Sequence, residues 1–292
     1  MKFRTDLAVE MREYHKNKTL DGVLSGTEET NGVKVTTIEI INEDGERLIG
    51  KPQGKYITIE TDRLYKSSES FSVAADVLSR KLRSLLPDEG TVLVAGLGNE
   101  NITPDALGPK VMNLLLATRH IGSDLAESLG LGDLRSVAGI VPGVLGKTGI
   151  ETVETIDGVV KKISPVCVIV IDALASRNTA RLGTTVQLCN TGVAPGSGVG
   201  NKRKGITAES LGVPVIAIGV PTVVDAMTMA SDILEKVQVS FDEREFSQHR
   251  QMMVTPKEID SLIDNSAHLV AMGINMALQK NLTPEEIAEI VG

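Results

Sequence analysis

The sequence predicts an α/β protein: a mostly parallel central sheet with helices on both faces, extended at its N-terminus by β-hairpins. Three observations carry this. From Ser70 onward, short apolar runs alternate with segments of helical periodicity, the pattern of strands joined by crossover helices. Several of those runs, Val92-Leu-Val-Ala95 and Val168-Ile-Val-Ile171 among them, are apolar throughout, as strands covered on both faces must be. Before Ser70 the texture differs: apolar and polar residues alternate, and Asn31-Gly32 and Asp44-Gly45 give turn signals between the runs.

Taken in order, Leu7 to Tyr14 reads as a short helix, and Val33 to Ile41 and Tyr56 to Glu60 read as antiparallel strands. Phe71, Ala74, Ala75, Leu78, Leu82 and Leu85 recur at helical spacing until Pro87 stops the helix. Strand Val92 to Ala95, a helix around Val111 to Ala117, and strands Val137 to Ile140, Val166 to Ile171, Thr185 to Leu188 and Val213 to Ile218 follow. Thr222-Val-Val-Asp225 predicts a helix start running to about Val237. Thr255-Pro-Lys-Glu258 has the capping-box pattern with Pro at the first helical position, ahead of a long amphipathic helix, and Thr283-Pro-Glu-Glu286 starts a short last one. No fixed-period repeat or low-complexity linker divides the chain, so a single domain over 1–292 is expected, with 1–66 a β-rich addition, 67–292 the α/β core, and an irregular insertion between Phe241 and Met253.

Composition narrows the function. The 292 residues, 41% hydrophobic and 23% charged, can bury a sizeable core. A formal charge of −8, no Trp, four Phe and three Tyr argue against a nucleic-acid partner, which needs positive charge and stacking platforms. Lys202-Arg-Lys204 is the one compact basic cluster and reads as a solvated loop. Cys167 and Cys189 do not make a disulfide framework, and Cys167 lies in an apolar strand where a thiol acts as a small hydrophobe. No signal-peptide core and no run approaching about 18 apolar residues is present, so a cytoplasmic protein without a membrane partner is expected.

Familiar catalytic signatures are missing. Gly96-Leu-Gly-Asn99 follows a strand, but Asn101 stands where a dinucleotide fingerprint needs its third glycine. Gly146-Lys-Thr148 ends like a phosphate-binding loop, yet Val141 holds the position of the required first glycine. There is no Gly-x-Ser-x-Gly elbow and no His-Glu-x-x-His, and His15, His120, His249 and His268 show no paired spacing for a metal.

What remains is a pair of acids. Asp105 and Asp172 each stand at the mouth of an apolar run, and neighbouring parallel strands would bring both to the carboxyl edge of the sheet, where open α/β sheets place their ligands. One strand-end aspartate often simply caps a helix, and Thr103-Pro-Asp105 fits a helix start. Two on central strands carry a desolvation cost that function would justify. Like charges at close range split their pKa values, so such a pair can act as general base and general acid. Which acid takes which role stays open at this level, although Asp172, on the more apolar strand, is expected to have the higher apparent pKa. Gly98 and Asn99 at the strand end, and Gly196, Ser197, Gly198 and Asn201 in the loop Pro195-Gly-Ser-Gly-Val-Gly-Asn201, are candidates for oxyanion or substrate contact, because glycine lets backbone N–H groups turn toward a carbonyl oxygen. The same loop also reads as a plain turn. Asp225 is a third acid, placed behind the pair as a helix-capping group.

Long stretches carry a resemblance: Arg4-Thr-Asp-Leu-Ala-Val-Glu10, Ala95-Gly-Leu-Gly-Asn99, Thr103-Pro-Asp-Ala-Leu-Gly-Pro109, Pro142-Gly-Val144, Thr148-Gly-Ile-Glu-Thr152, Ile171-Asp-Ala-Leu-Ala175, Pro195 to Asn201 and Gly219-Val-Pro-Thr-Val-Val-Asp-Ala226. In these the chain resembles the germination protease family of spore-forming bacteria, endopeptidases that degrade small acid-soluble spore proteins at germination. The resemblance implies an acidic active site with Asp105 and Asp172 as its catalytic residues. It also implies a phosphorylase/hydrolase-like fold similar to that of hydrogenase-maturation peptidases, in which corresponding acids bind a metal. For this chain no cofactor is expected, with a divalent metal between the acids as the variant reading and a nucleotide- or phosphate-binding regulator as the reading from another class. Further implications are a zymogen whose propeptide is removed autocatalytically ahead of a stretch like Arg4-Thr-Asp-Leu-Ala8, a homotetramer, and residence in the spore core. Only Met1 to Phe3 precede that stretch here.

Overall fold

The computed structural model describes residues 4–15, 20–61, 68–128, 130–196, 203–236 and 252–291. The chain begins with α1 (Ala8–Tyr14) and the hairpin β1 (Val23–Thr30) and β2 (Val33–Ile40), then α2 (Glu43–Ile49), β3 (Gly54–Glu60) and α3 (Ser68–Arg83). Next come β4 (Val92–Gly96), α4 (Leu107–Met112), α5 (Ser123–Ser128), β5 (Val137–Ile140), α6 (Leu145–Thr148) and α7 (Thr152–Ile163). The last part contains β6 (Cys167–Ser176), β7 (Thr185–Cys189), α8 (Ala208–Leu211), β8 (Val215–Asp225), α9 (Ala226–Lys236), β9 (Met253–Val254), α10 (Ile259–Leu278) and α11 (Pro284–Val291).

Among the described residues the strands form one sheet in the order β1-β2-β3-β7-β8-β6-β4-β5, with β9 on β8. Its core is parallel: β4 pairs with β5 and β6, and β6 with β8. The N-terminal strands and β7 join antiparallel, so β7, which lies in the α/β half of the sequence, carries the antiparallel extension onto the parallel core. Successive residues of the central strands face opposite sides, as the pleat requires. Val92, Val94, Ile169 and Ile171 pack beneath α3, α4 and α10, while Leu93, Ala95, Val168 and Val170 pack with α1, α2, α7 and α8. Both faces are therefore covered, which is why those runs contain no polar residue before Asp172.

Several local expectations are corrected. β1 was not legible, because seven of its eight residues are exposed and polar residues predominate in an edge strand of this kind. Asp44-Gly45 is not a turn; both sit in α2, whose cap is Asn42, its side chain accepting from the Gly45 N–H at 3.0 Å. The helix expected at Val111 to Ala117 lies earlier, at Leu107–Met112, and the residues from Asn113 to Ala117 are not helical. Thr222-Val-Val-Asp225 is strand rather than helix, the end of a β-branched run that reaches Asp225 before α9 starts. Thr255 does not cap α10, which starts after Glu258; its hydroxyl donates to the Thr222 carbonyl at 3.2 Å and so fastens the approach to the helix onto β8. At α11 the expected capping box forms, with Thr283 and Glu286 exchanging both bonds. Of the insertion read between Phe241 and Met253, residues 241–251 lie outside the described residues.

Candidate active site

β4 ends at Gly96, which pairs with Ile171, so Asp172 is the first residue of β6 to project past the end of that neighbour. On its other side β6 still has a partner, Gly219 of β8. β6 continues to Ser176 through a register irregularity at Leu174/Ala175, so Asp172 lies within a strand rather than at its end. It is 8% exposed, and its Oδ1 accepts from the Ala173 N–H at 3.0 Å.

Asp105 reaches the same edge by a compact turn. After β4 the chain passes Gly98 at φ +108, where a Cβ would lie 2.0 Å from the Asp105 carbonyl oxygen, so no other residue fits without moving that turn. The Asn99 N–H donates to both the Asp105 carboxylate (2.8 Å) and the Asp105 carbonyl (3.1 Å). Thr103–Asp105 form a 3-10 turn, and the Thr222 hydroxyl donates to the Pro104 carbonyl at 2.7 Å, tying the turn to β8. Gly108 lets α4 approach β4 closely, since a Cβ there would stand 2.2 Å from the Leu97 carbonyl.

Asp105 and Asp172 line one cavity of about 370 Å³, with Gly98, Thr152, Gly196 and Arg203 on its wall. A second cavity of about 290 Å³ shares Asp172 with the first and continues toward Lys51 and Tyr56. Burial pushes the Asp172 carboxyl well above the usual carboxylate range; Asp105 and then Asp6 push it further, against the Ala173 N–H. Asp105 is also raised, by burial, but the Asn99 N–H and the Arg203 guanidinium oppose the rise. The two environments therefore separate the pair, the Asp172 carboxyl being pushed further up than that of Asp105.

The remaining sequence candidates divide. Gly98 and Gly196 line the cavity, whereas the Asn99 N–H is already engaged by Asp105. Ser197, Gly198 and Asn201 lie outside the described residues. Asp225 stands away from both cavities: it accepts from the Thr228 N–H (2.9 Å) and hydroxyl (3.0 Å), so it is the cap of α9 itself, and Arg4 lies 3.7 Å from its other oxygen. The Gly146-Lys-Thr148 segment is a one-turn helix whose Lys147 lies 3.7 Å from Glu100, a carboxylate where a phosphate reading would need an anion-binding cradle. Among the described residues no group of three or more His, Cys, Asp or Glu is placed so as to hold a metal ion.

Two site residues were not picked out from sequence. Asp6 comes from the N-terminal segment, its main chain and carboxylate both bonded to Ala175. Arg203 belongs to the basic cluster read as a solvated loop; its N–H donates to the Pro195 carbonyl at 3.2 Å, which folds it back onto the cavity. The only signal for Asp6 was its place in the Arg4-Thr-Asp-Leu-Ala8 stretch.

Fold and site thus define an α/β protein with two carboxylates, Asp105 and Asp172, on one cavity at the carboxyl edge of its parallel strands. The family model for germination protease matches residues 4–251 and 247–290. The germination protease of Caldanaerobacter subterraneus subsp. tengcongensis is 45% identical over an alignment 317 positions long, which covers 99% of this chain and 98% of that protein. That of Clostridium perfringens is 43% identical with 97% of each covered, and that of Priestia megaterium 38% identical with 97% and 95% covered. The chain belongs to the germination protease family and is an endopeptidase.

Proposed function

We propose that this endopeptidase opens the degradation of small acid-soluble spore proteins at germination, and that Asp105 and Asp172 carry out the cut. The observation that supports this is the unequal pair itself: a buried Asp172 whose carboxyl is pushed well above the usual carboxylate range, facing the same cavity as an Asp105 whose rise is opposed by a backbone N–H and an arginine. Asp105 takes a proton from water as its oxygen bonds to the scissile carbonyl carbon, while Asp172 gives its proton to the carbonyl oxygen. When the tetrahedral intermediate collapses, the C–N bond breaks, the amine nitrogen takes the proton from Asp105, and a hydroxyl returns one to Asp172. Both carboxyls end as they began, and one water has been added across the peptide bond.

The family membership extends the proposal to a zymogen trimmed autocatalytically, a homotetramer, and the cytoplasm of the spore core. Among the described residues no helix is long and apolar enough to cross a membrane. The test is cleavage of a purified small acid-soluble spore protein by wild type, Asp105→Asn and Asp172→Asn, each with and without chelator, read by mass spectrometry. Specific cuts reduced at least about a hundredfold in both variants and unaffected by chelator are expected, the loss general acid–base catalysis commonly supplies. Wild-type turnover in either variant would remove the mechanism, and chelator-sensitive cleavage would replace it with a metal-assisted one.

A further inference from the structure

The loop after β7 puts a cation on the acid cavity. Gly192, at φ +79, opens the loop, and a Cβ there would lie 2.0 Å from the Ile206 carbonyl oxygen, so the outgoing limb runs tight against the returning one. Val193 and Ile206 exchange both backbone bonds, the Val193 N–H donating at 3.0 Å and the Ile206 N–H at 2.8 Å, and the fully buried Ile206 side chain anchors this neck in the core. One step further out, the Arg203 N–H donates to the Pro195 carbonyl at 3.2 Å. Both limbs are thereby fixed: Val193 to Gly196 on one side and Arg203 on the other line the cavity that holds Asp105 and Asp172. Arg203 and Lys204 face opposite ways, as neighbours in an extended chain do. Lys204 is turned outward, its side chain 68% exposed and 3.8 Å from Glu154 of α7, in a groove that contains neither acid. Among the described residues Arg203 is the one cation on the wall of the acid cavity.

We infer that Arg203 is a positioning residue for peptide cleavage: the closed neck of this loop holds its guanidinium on the cavity wall, where its charge keeps Asp105 in the proton-accepting form. The inference rests on the assignment of Asp105 as general base. Burial that suits a proton donor disables a proton acceptor, so a site built from two buried carboxyls needs a cation that acts on one of them. Charged groups near Asp105 come from several elements. Asp172 and Asp6 share its cavity, and Asp6 bears on Asp172. Glu100 of the turn itself is taken up by Lys147 of α6 at 3.7 Å, Lys110 of α4 by Asp264 of α10, whose carbonyl also bonds His268, and Asp225 of β8 by Thr228. Arg203 is left as the cation that acts on Asp105, where it and the Asn99 N–H counter the upward push of burial. The Asn99 N–H belongs to the same turn as Asp105, whereas Arg203 arrives from another element and can be removed singly.

The readout is the acid limb of kcat/KM against pH, where activity is lost as Asp105 takes up a proton. Cleavage of a purified small acid-soluble spore protein is followed for wild type, Arg203→Met, Arg203→Lys and Lys204→Met, with thermal melts of each. Arg203→Met removes the charge and keeps much of the side-chain bulk, and is expected to move the acid limb toward alkali by roughly one pH unit. Arg203→Lys, which keeps the charge, is expected to move it less. Lys204→Met, which removes the neighbouring cation from the outer groove, is expected to leave it in place. An acid limb unmoved in Arg203→Met overturns the inference, whether turnover falls uniformly or KM alone rises, the latter marking Arg203 as a contact to the substrate. An equal shift in Lys204→Met overturns it too, since any surface cation would then serve. Asp105→Asn run alongside separates the two levels: wild-type turnover there means that the base assignment has failed, whereas an inactive Asp105→Asn with an unmoved limb in Arg203→Met means that Arg203 alone was misassigned.

Discussion

Asp172 sits where the fold disfavours an ion. Its neighbours along β6, Val168, Val170 and Leu174, are buried on the same face, and two other carboxylates share its cavities. A carboxyl whose native pKa is raised above its unfolded value of about 3.9 leaves the native state holding the extra proton. The stability it confers is full below that unfolded value and is lost as pH rises through the raised one. Asp172→Asn, which has no proton to lose, is therefore expected to melt at a higher temperature than wild type at pH 7 to 8, with the two midpoints converging below about pH 4. Melts across that range check it; equal midpoints throughout would show that Asp172 titrates as an ordinary surface acid. Both acids were legible in the sequence because each follows an apolar run, a local pattern, although Asp172 lies within β6 and Asp105 in the turn after β4. Asp6 and Arg203 were not, because each reaches the site through a fold-back, Asp6 onto Ala175 and Arg203 onto Pro195, that leaves no periodic trace.

At the scale of elements, the turn between β4 and α4 is the device that sets Asp105. Gly98 combines a positive φ with backbone contact to Asp105, and Gly108 allows the helix to close on the strand end. Gly98→Ala is expected to cost more than about 1 kcal/mol of stability, since alanine resists φ > 0, and to lower kcat by about a hundredfold through displacement of Asp105. Denaturant titration and steady-state cleavage measure the two effects separately. The Gly-x-Gly-Asn motif, whose incomplete match left a nucleotide reading weak, is thus explained by packing and by the Asn99 N–H on Asp105. Local signals misled where two structures use the same residues: Thr222-Val-Val-Asp225 satisfies a capping pattern and is also β-branched, and pairing with β6 and β9 decides for strand. β1 was invisible for a simpler reason, as an exposed edge strand has no apolar alternation to read.

Across the whole molecule, the sequence revealed strand–helix alternation and hence the parallel core, because covered strands must be apolar and crossover helices amphipathic. It did not reveal how the N-terminal part is fastened to that core. The fastening centres on Arg181, nearly buried, whose guanidinium donates to Glu10 (3.3 Å), Glu13 (2.9 and 2.8 Å) and Glu60 (3.1 Å), joining α1 and β3 to the segment after β6. Glu10 also accepts from the Arg177 and Asn178 N–H groups at 2.7 and 2.9 Å. Arg181→Met leaves the Glu10 carboxylate buried without its cation and is expected to destabilise by about 3 to 5 kcal/mol, read from denaturant midpoints. A cost below about 1 kcal/mol, the size of a surface pair, would show the N-terminal segment to be held some other way. All of this converges on the proposed property, an acid pair whose two carboxyls the surrounding fold shifts unequally. Carbon-13 titration of the aspartate carboxyls in wild type and Asp172→Asn tests it most directly. The expected result is one carboxyl, missing from the variant, that stays protonated to a pH well above the range in which the other aspartates ionise; Asp172 fully ionised at low pH would contradict the account.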